Sequence, residues 1–132
     1  MKAWIWRLGP AVVMMSLIFI ASSMPGSEMP EFGIWDVLFK KGGHMIGYAL
    51  LTIAYFHALT KGGRGTRLQF IIAICLAILY AVSDEWHQAF IPGRTATFRD
   101  VCIDAAGGMV GLALWHRIQK RRRSDPQKSA AP

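Results

Sequence analysis

Four apolar runs, Leu8 to Ser23, Gly43 to Leu59, Leu68 to Val82 and Val101 to Ile118, are separated by short polar connections. Each approaches the roughly 20 residues that a helix needs to cross the hydrocarbon core of a bilayer. The third is short unless its helix continues outward through Ser83 to Ala89, and the fourth is interrupted only by Asp104 and, at its far end, His116 and Arg117. A soluble bundle requires a polar face on each helix, and the run LQFIIAICLAILYAV has almost none. The pattern predicts an all-α fold, a four-transmembrane-helix bundle, with spans near residues 5–24, 43–60, 67–89 and 99–118. One domain is expected over residues 1–120, followed by a basic tail over 121–132 that ends in a short disordered stretch from Ser124.

Composition agrees with the pattern. Of 132 residues, 53% are hydrophobic and 17% charged, against about 25% charged in ordinary soluble domains. The net charge of +7 would suit a nucleic-acid partner if it formed one patch, but it does not. Lys2 and Arg7 open the first span, Lys61, Arg64 and Arg67 fill the second connection, and the rest of the excess lies from Arg117 to Lys128. The remaining basic residues, Lys40, Lys41, Arg94 and Arg99, share the first and third connections with Glu28, Glu31, Asp36, Asp84, Glu85 and Asp100. By the positive-inside rule both termini are cytoplasmic and the acidic connections face outward. The tail beyond Trp115 has no aromatic residues on which bases could stack, so no nucleic-acid partner is expected.

The first run resembles a secretory signal in its basic start and small residues Ala21 to Ser23. Met24 and Pro25 follow in place of a small-x-small cleavage site, so it is read as a retained span. Cys75 and Cys102 both fall inside predicted spans, where neither a disulfide nor a thiolate metal site is expected. Gly43 and Gly47 on the second span, and Gly107 and Gly111 on the fourth, form small-xxx-small pairs, which predicts close approach of those two helices. That approach would bring His44 near Asp100 and Asp104, with Tyr48 one turn below as a floor. Trp4, Trp6, Trp86 and Trp115 fit interfacial belts, and His57 and His116 read as ordinary residues near helix ends.

The chemistry is concentrated between the last two spans. Ser83-Asp84-Glu85-Trp86-His87-Gln88 is followed by Pro92-Gly93-Arg94 and by Arg99-Asp100-Val101-Cys102-Ile103-Asp104. Ionisable groups at membrane depth cost roughly 2.5–3.5 kcal/mol each even on lenient scales, so a cluster of them implies partners and a task. Asp84 and Gln88 are four apart, as are Asp100 and Asp104, so each helix carries an acidic face. Pro92-Gly93 is a turn dipeptide that places Arg94 at both acidic ends.

Ser22-Ser23-Met24-Pro25-Gly26, Lys41-Gly42-Gly43-His44 with Tyr48, the Asp-Glu-x-x-Gln of 84–88, Pro92-Gly93-Arg94, and Asp100-Val101 with Asp104 together resemble the VanZ-like membrane proteins over residues 15–115. The resemblance implies a four-helix domain of the bacterial plasma membrane and, through the family's namesake, a link to teicoplanin resistance. It carries His44, Asp84, Glu85 and Asp104 as candidate catalytic residues and Gln88, Arg94 and Asp100 as candidate binding residues, to which Tyr48 is added as a binding candidate from its place one turn below His44. Many relatives carry a glutamate at the position of Gly47 and an aspartate near Lys40; both acids are missing here, which weakens any mechanism needing an acid on the second helix.

Three readings of the cluster stay open. Arg94 would hold a phosphate or carboxylate while His44 or a carboxylate acts as general base, on a lipid-linked envelope precursor or a peptide stem. The same network would equally serve a non-catalytic accessory protein that binds an envelope lipid, a glycopeptide or a membrane partner. The third reading is that the acids and arginines satisfy one another and fix the helix ends. No nucleophile elbow, HExxH or phosphate-cradling loop is present, no cofactor is predicted, and no spacing is diagnostic of a metal. A proton-coupled transporter ranks lower, because Asp104 is the one acid within the four apolar runs and no ionisable residue continues a path to the cytoplasm.

Overall fold

The computed structural model describes residues 2–26, 34–60 and 65–124. They form four helices, α1 (Lys2–Ser22), α2 (Ile34–Thr60), α3 (Arg67–Gln88) and α4 (Phe98–Ser124), with no strand among the described residues. Helix α2 is central and packs against the other three, most extensively against α4. It starts well before Gly43, where the apolar run begins, so Lys40, Lys41 and His44 all project from one continuous helix.

Local signals set the helix ends. Thr66 caps α3 in a reciprocal box: Gln69 N–H donates to Thr66 Oγ1 at 3.2 Å, and Thr66 N–H donates to Gln69 Oε1 at 2.9 Å. Thr97 does the same work for α4, accepting from Asp100 N–H at 3.3 Å while its hydroxyl donates to Asp100 Oδ2 at 2.7 Å. Helix α1 stops before Pro25, and the chain then docks on the α3–α4 connection. Gly26 N–H donates to Pro92 O at 3.0 Å, and a Cβ on Gly26 would lie 2.3 Å from Gly93 O. Gly93 itself is left-handed, with φ of 74°.

Helix α3 shows how one face changes character along its length. Ala73, Ala77 and Ala81 recur every four residues and are buried; the same stripe continues into Asp84, Glu85 and Gln88, also buried. Small side chains let α3 lie close to its neighbours in the interior, and the polar ones gather where it emerges. Tyr48, Leu51 and Leu112 are fully buried, and the Thr52 hydroxyl donates to Tyr48 O at 2.7 Å.

The α2–α4 approach is built differently from the expected pairing of glycines. Gly107, Gly108 and Gly111 of α4 face α2: an added Cβ would lie 2.4 Å from Met45 O, 2.5 Å from Thr52 Oγ1 and 2.5 Å from Ala49 Cβ respectively. Gly43 and Gly47 do not take part. A Cβ on Gly43 would meet nothing within 4 Å, and one on Gly47 would meet Ile18 of α1 at 3.4 Å. Residues 43 and 45 are about 200° apart around a helix, so the Met45–Ala49–Thr52 face that receives α4 is nearly opposite the glycines. The expected closeness holds, but the glycine pair of α2 turns to α1.

The outside of the bundle is apolar. Val12, Leu17 and Ile20 on α1, Ile46 and Leu50 on α2, Leu79 on α3 and Val110 on α4 are all exposed, Leu79 by 66% and Ile46 by 61%. Exposed large apolar side chains thus occur on every helix. By length and composition, α3 is the one helix among the described residues that is long and apolar enough to cross a membrane, with a shorter apolar stretch at Trp6–Ser22.

Candidate functional site

Side chains from all four helices and from the α3–α4 connection meet at the end of the bundle where α1 and α3 finish and α4 starts. Asp84, 3% exposed, is held from two sides: Ser22 Oγ donates to its Oδ2 at 2.8 Å and Gln88 Nε2 donates to the same oxygen at 3.0 Å. Gln88 also donates to Ser22 Oγ at 3.2 Å. The i, i+4 spacing of Asp84 and Gln88 makes this possible, and Ser22, fully buried, ties α1 to α3. Ser22→Ala removes one of two donors from a buried carboxylate, so it is expected to cost about 1–3 kcal/mol in chemical unfolding of the detergent-solubilised protein. A variant as stable as wild type would show that the network carries no weight.

Glu85 turns the other way along the same stripe. Its Oε2 accepts the Thr97 N–H at 2.9 Å, so it holds the residue that starts α4. Asp104, 2% exposed, lies one turn inside α4 from Asp100. His44 of α2 stands between the helices, its Nδ1 3.7 Å from Asp104 Oδ2 and 3.9 Å from Asp84 Oδ2. These are ion-pair rather than hydrogen-bond separations. Asp104 Oδ2, Asp84 Oδ1 and the Tyr48 hydroxyl are buried and make no hydrogen bond among the described residues. Buried polar groups usually have a protein or water partner, so these three are the site's open hydrogen-bonding positions toward a small molecule or water.

Asp100 pairs with Lys41 rather than with His44, joining the first turn of α4 to α2. Arg94 reaches across to α1: its Nη2 donates to Ala21 O at 2.7 Å, its Nε to Met24 O at 3.2 Å and its Nη1 to Gln88 Oε1 at 3.4 Å. Together these groups surround a cavity of about 200 Å³, with Lys40, Lys41, His44 and Arg94 on its wall beside Glu85 and Asp104. Basic and acidic groups are therefore both presented on one wall, some of them paired.

Of the residues singled out from sequence, His44, Glu85, Gln88, Arg94, Asp100 and Asp104 line this cavity. Asp84 stands behind the wall in its network with Ser22, and Tyr48 is fully buried with its ring centroid 6.3 Å from that of His44. Sequence reasoning gave no role to Ser22, Lys40, Lys41 or Thr97. The Thr97-x-x-Asp100 capping pattern was a legible signal for the last of these. His87 proves to face α1, stacked on Phe19 with ring centroids 4.5 Å apart and 3.0 Å from Ser23 Oγ. The Ser23 hydroxyl also donates to Phe19 O at 2.7 Å, the back-bond of a helix-end serine. Among the described residues no group of three or more His, Cys, Asp or Glu side chains converges to hold a metal.

Fold and site define an all-helical protein with an apolar exterior and a mixed-charge pocket at one end of the bundle. The family model VanZ/LLP1 matches residues 8–119, and the chain belongs to that family, whose members are generally membrane-associated. No curated protein and no solved structure matches the chain.

Proposed function

We propose that the protein crosses the bacterial plasma membrane four times, with both termini cytoplasmic. In this reading the pocket faces outward and binds the anionic head of a cell-envelope lipid or a peptidoglycan-related ligand. Apolar side chains exposed on all four helices support burial of the whole bundle in lipid, although α2 and α4 carry more polar residues than α3. The basic residues of the second connection and the tail support the orientation. With Cys75 and Cys102 replaced by alanine, Thr95→Cys is expected to react with an impermeant maleimide applied to intact cells. Labelling only after the cytoplasm is opened would invert the topology.

The observation that carries the binding reading is the cavity itself, where Lys40, Lys41 and Arg94 converge at one bundle end beside a histidine and buried acids. Cations at the mouth of a low-dielectric site attract phosphate or carboxylate, and the arginine fork suits either. The link to glycopeptide response rests on family resemblance. Lys41→Ala removes a cation and leaves Asp100 uncompensated, so it is expected to weaken binding of a phosphate-bearing lipid by about tenfold, equivalent to about 1.4 kcal/mol. Lys41→Arg is expected to retain most of the affinity. Titration of the purified protein in lipid nanodiscs reads both, and equal affinities for wild type and Lys41→Ala would sink the reading.

A further inference from the structure

A second cavity, of about 310 Å³, lies between α1 and α2 and has received no role so far. Its wall is largely hydrocarbon: Met14, Leu17, Ile18 and Ala21 on one side, Gly43 and Gly47 on the other. Gly43 contributes open space, since a Cβ there would meet nothing within 4 Å. Leu17 is 55% exposed, so the cleft reaches the apolar outer surface of the bundle. This is where the glycine pair of α2 turns, and it explains a surface that the α2–α4 contact leaves unused.

The cleft and the polar pocket adjoin. Lys40, His44 and Arg94 line both, whereas Glu85, Asp100 and Asp104 line the polar pocket alone. A molecule lying across both would therefore meet hydrocarbon first, then three basic or potentially basic groups, then carboxylates, one of them paired with Lys41. That sequence of environments is the complement of an amphiphile: a chain, an anionic group at its foot, and hydrogen-bond donors beyond. Resting on the reading of the pocket as an anion-binding site, we infer that the cleft between α1 and α2 seats the hydrocarbon chain of a single-chain lipid phosphate, whose phosphate lies at Lys40, His44 and Arg94.

The geometry sets the class of ligand. One cleft bounded by two helices takes one chain, which favours an isoprenoid or single-alkyl phosphate over a diacyl phospholipid. Entry is lateral, from the bilayer, because the cleft is open beside Leu17 and Gly43. Sugar hydroxyls or an amine attached beyond the phosphate would meet the acidic side of the pocket, where Asp104 Oδ2 is buried without a hydrogen bond.

The test uses the full-length protein in nanodiscs and three probes: farnesyl phosphate, dioleoyl phosphatidic acid and butyl phosphate. Wild type is expected to bind farnesyl phosphate at least about tenfold tighter than butyl phosphate, because buried chain adds affinity, and tighter than the diacyl lipid. Gly43→Leu, which fills open space, and Leu17→Trp, which narrows the cleft from α1, are each expected to abolish that advantage while leaving butyl phosphate binding and thermal stability unchanged. Should both variants bind farnesyl phosphate like wild type while Lys41→Ala does not, the pocket reading survives and the cleft assignment is overturned. Equal or tighter binding of phosphatidic acid overturns the single-chain assignment. If no phosphate probe binds wild type, the pocket reading fails and the cleft falls with it.

Discussion

A Gly107→Leu protein is expected to lose the packing of α4 on α2 and with it about 3 kcal/mol of stability. The reason is backbone contact. A Cβ at residue 107 would stand 2.4 Å from Met45 O and 3.0 Å from Met45 C, atoms of a helix that cannot rotate aside as a side chain would. The Gly111 position is as tight, with Ala49 Cα at 2.8 Å. Small residues at such contacts let the two helix backbones approach and van der Waals packing act between them. Gly42→Leu is the matched control: its Cβ meets nothing within 4 Å, so its stability is expected to stay within about 0.5 kcal/mol of wild type or to rise, since glycine is a poor helix former. Unfolding of the detergent-solubilised proteins by denaturant measures the difference. Parity between Gly107→Leu and Gly42→Leu would mean that α2 and α4 do not meet as described.

The consequence extends to the site. Lys41 and His44 come from α2, and Asp100 and Asp104 from α4. Separating these helices pulls Lys41 from Asp100 and His44 from Asp104 at once. The glycines of α4 are therefore positioning residues for the pocket, although none of them lines it.

Much of this arrangement was legible in the chain, and the misses have physical causes. Apolar run length gave the four helices, and the continuation of α3 to Gln88 followed from the need for a longer helix. The i, i+4 pairs predicted acidic faces that the structure brings together, because helical spacing is a local property. Which neighbour a face meets is not local. Gly43-x-x-x-Gly47 and Gly107-x-x-x-Gly111 look alike in sequence, yet only the second faces the α2–α4 contact, a matter of where each stripe falls relative to Met45 and Ala49. Arg94 illustrates the same limit. Turn chemistry placed it at the end of the bundle, but its bonds to Ala21 O and Met24 O depend on α1 ending beside the α3–α4 connection, about 70 residues away in sequence.

That long-range clasp supports the second large effect, loss of both stability and ligand affinity in Arg94→Ala. Ala21 O belongs to the last turn of α1, where carbonyls lack partners within the helix and the dipole favours a cation. Arg94 supplies the cation and a donor, and its other nitrogens bind Met24 O and Gln88 Oε1. Hydrogen bonds from charged donors contribute about 1.5–3 kcal/mol when buried; because Arg94 is half-buried, the combined cost of its removal is expected at about 2–3 kcal/mol. Arg94→Lys keeps the charge near α1 but presents a point ammonium instead of a planar fork, so it is expected to recover about half of that stability. Affinity for a lipid phosphate separates the two roles of the residue. If Arg94 acts only as a clasp, Arg94→Lys, assayed below its unfolding temperature, binds the phosphate as wild type does. If the guanidinium also receives the phosphate where cleft and pocket join, Arg94→Lys remains folded yet binds about tenfold more weakly, because the bidentate contact is gone.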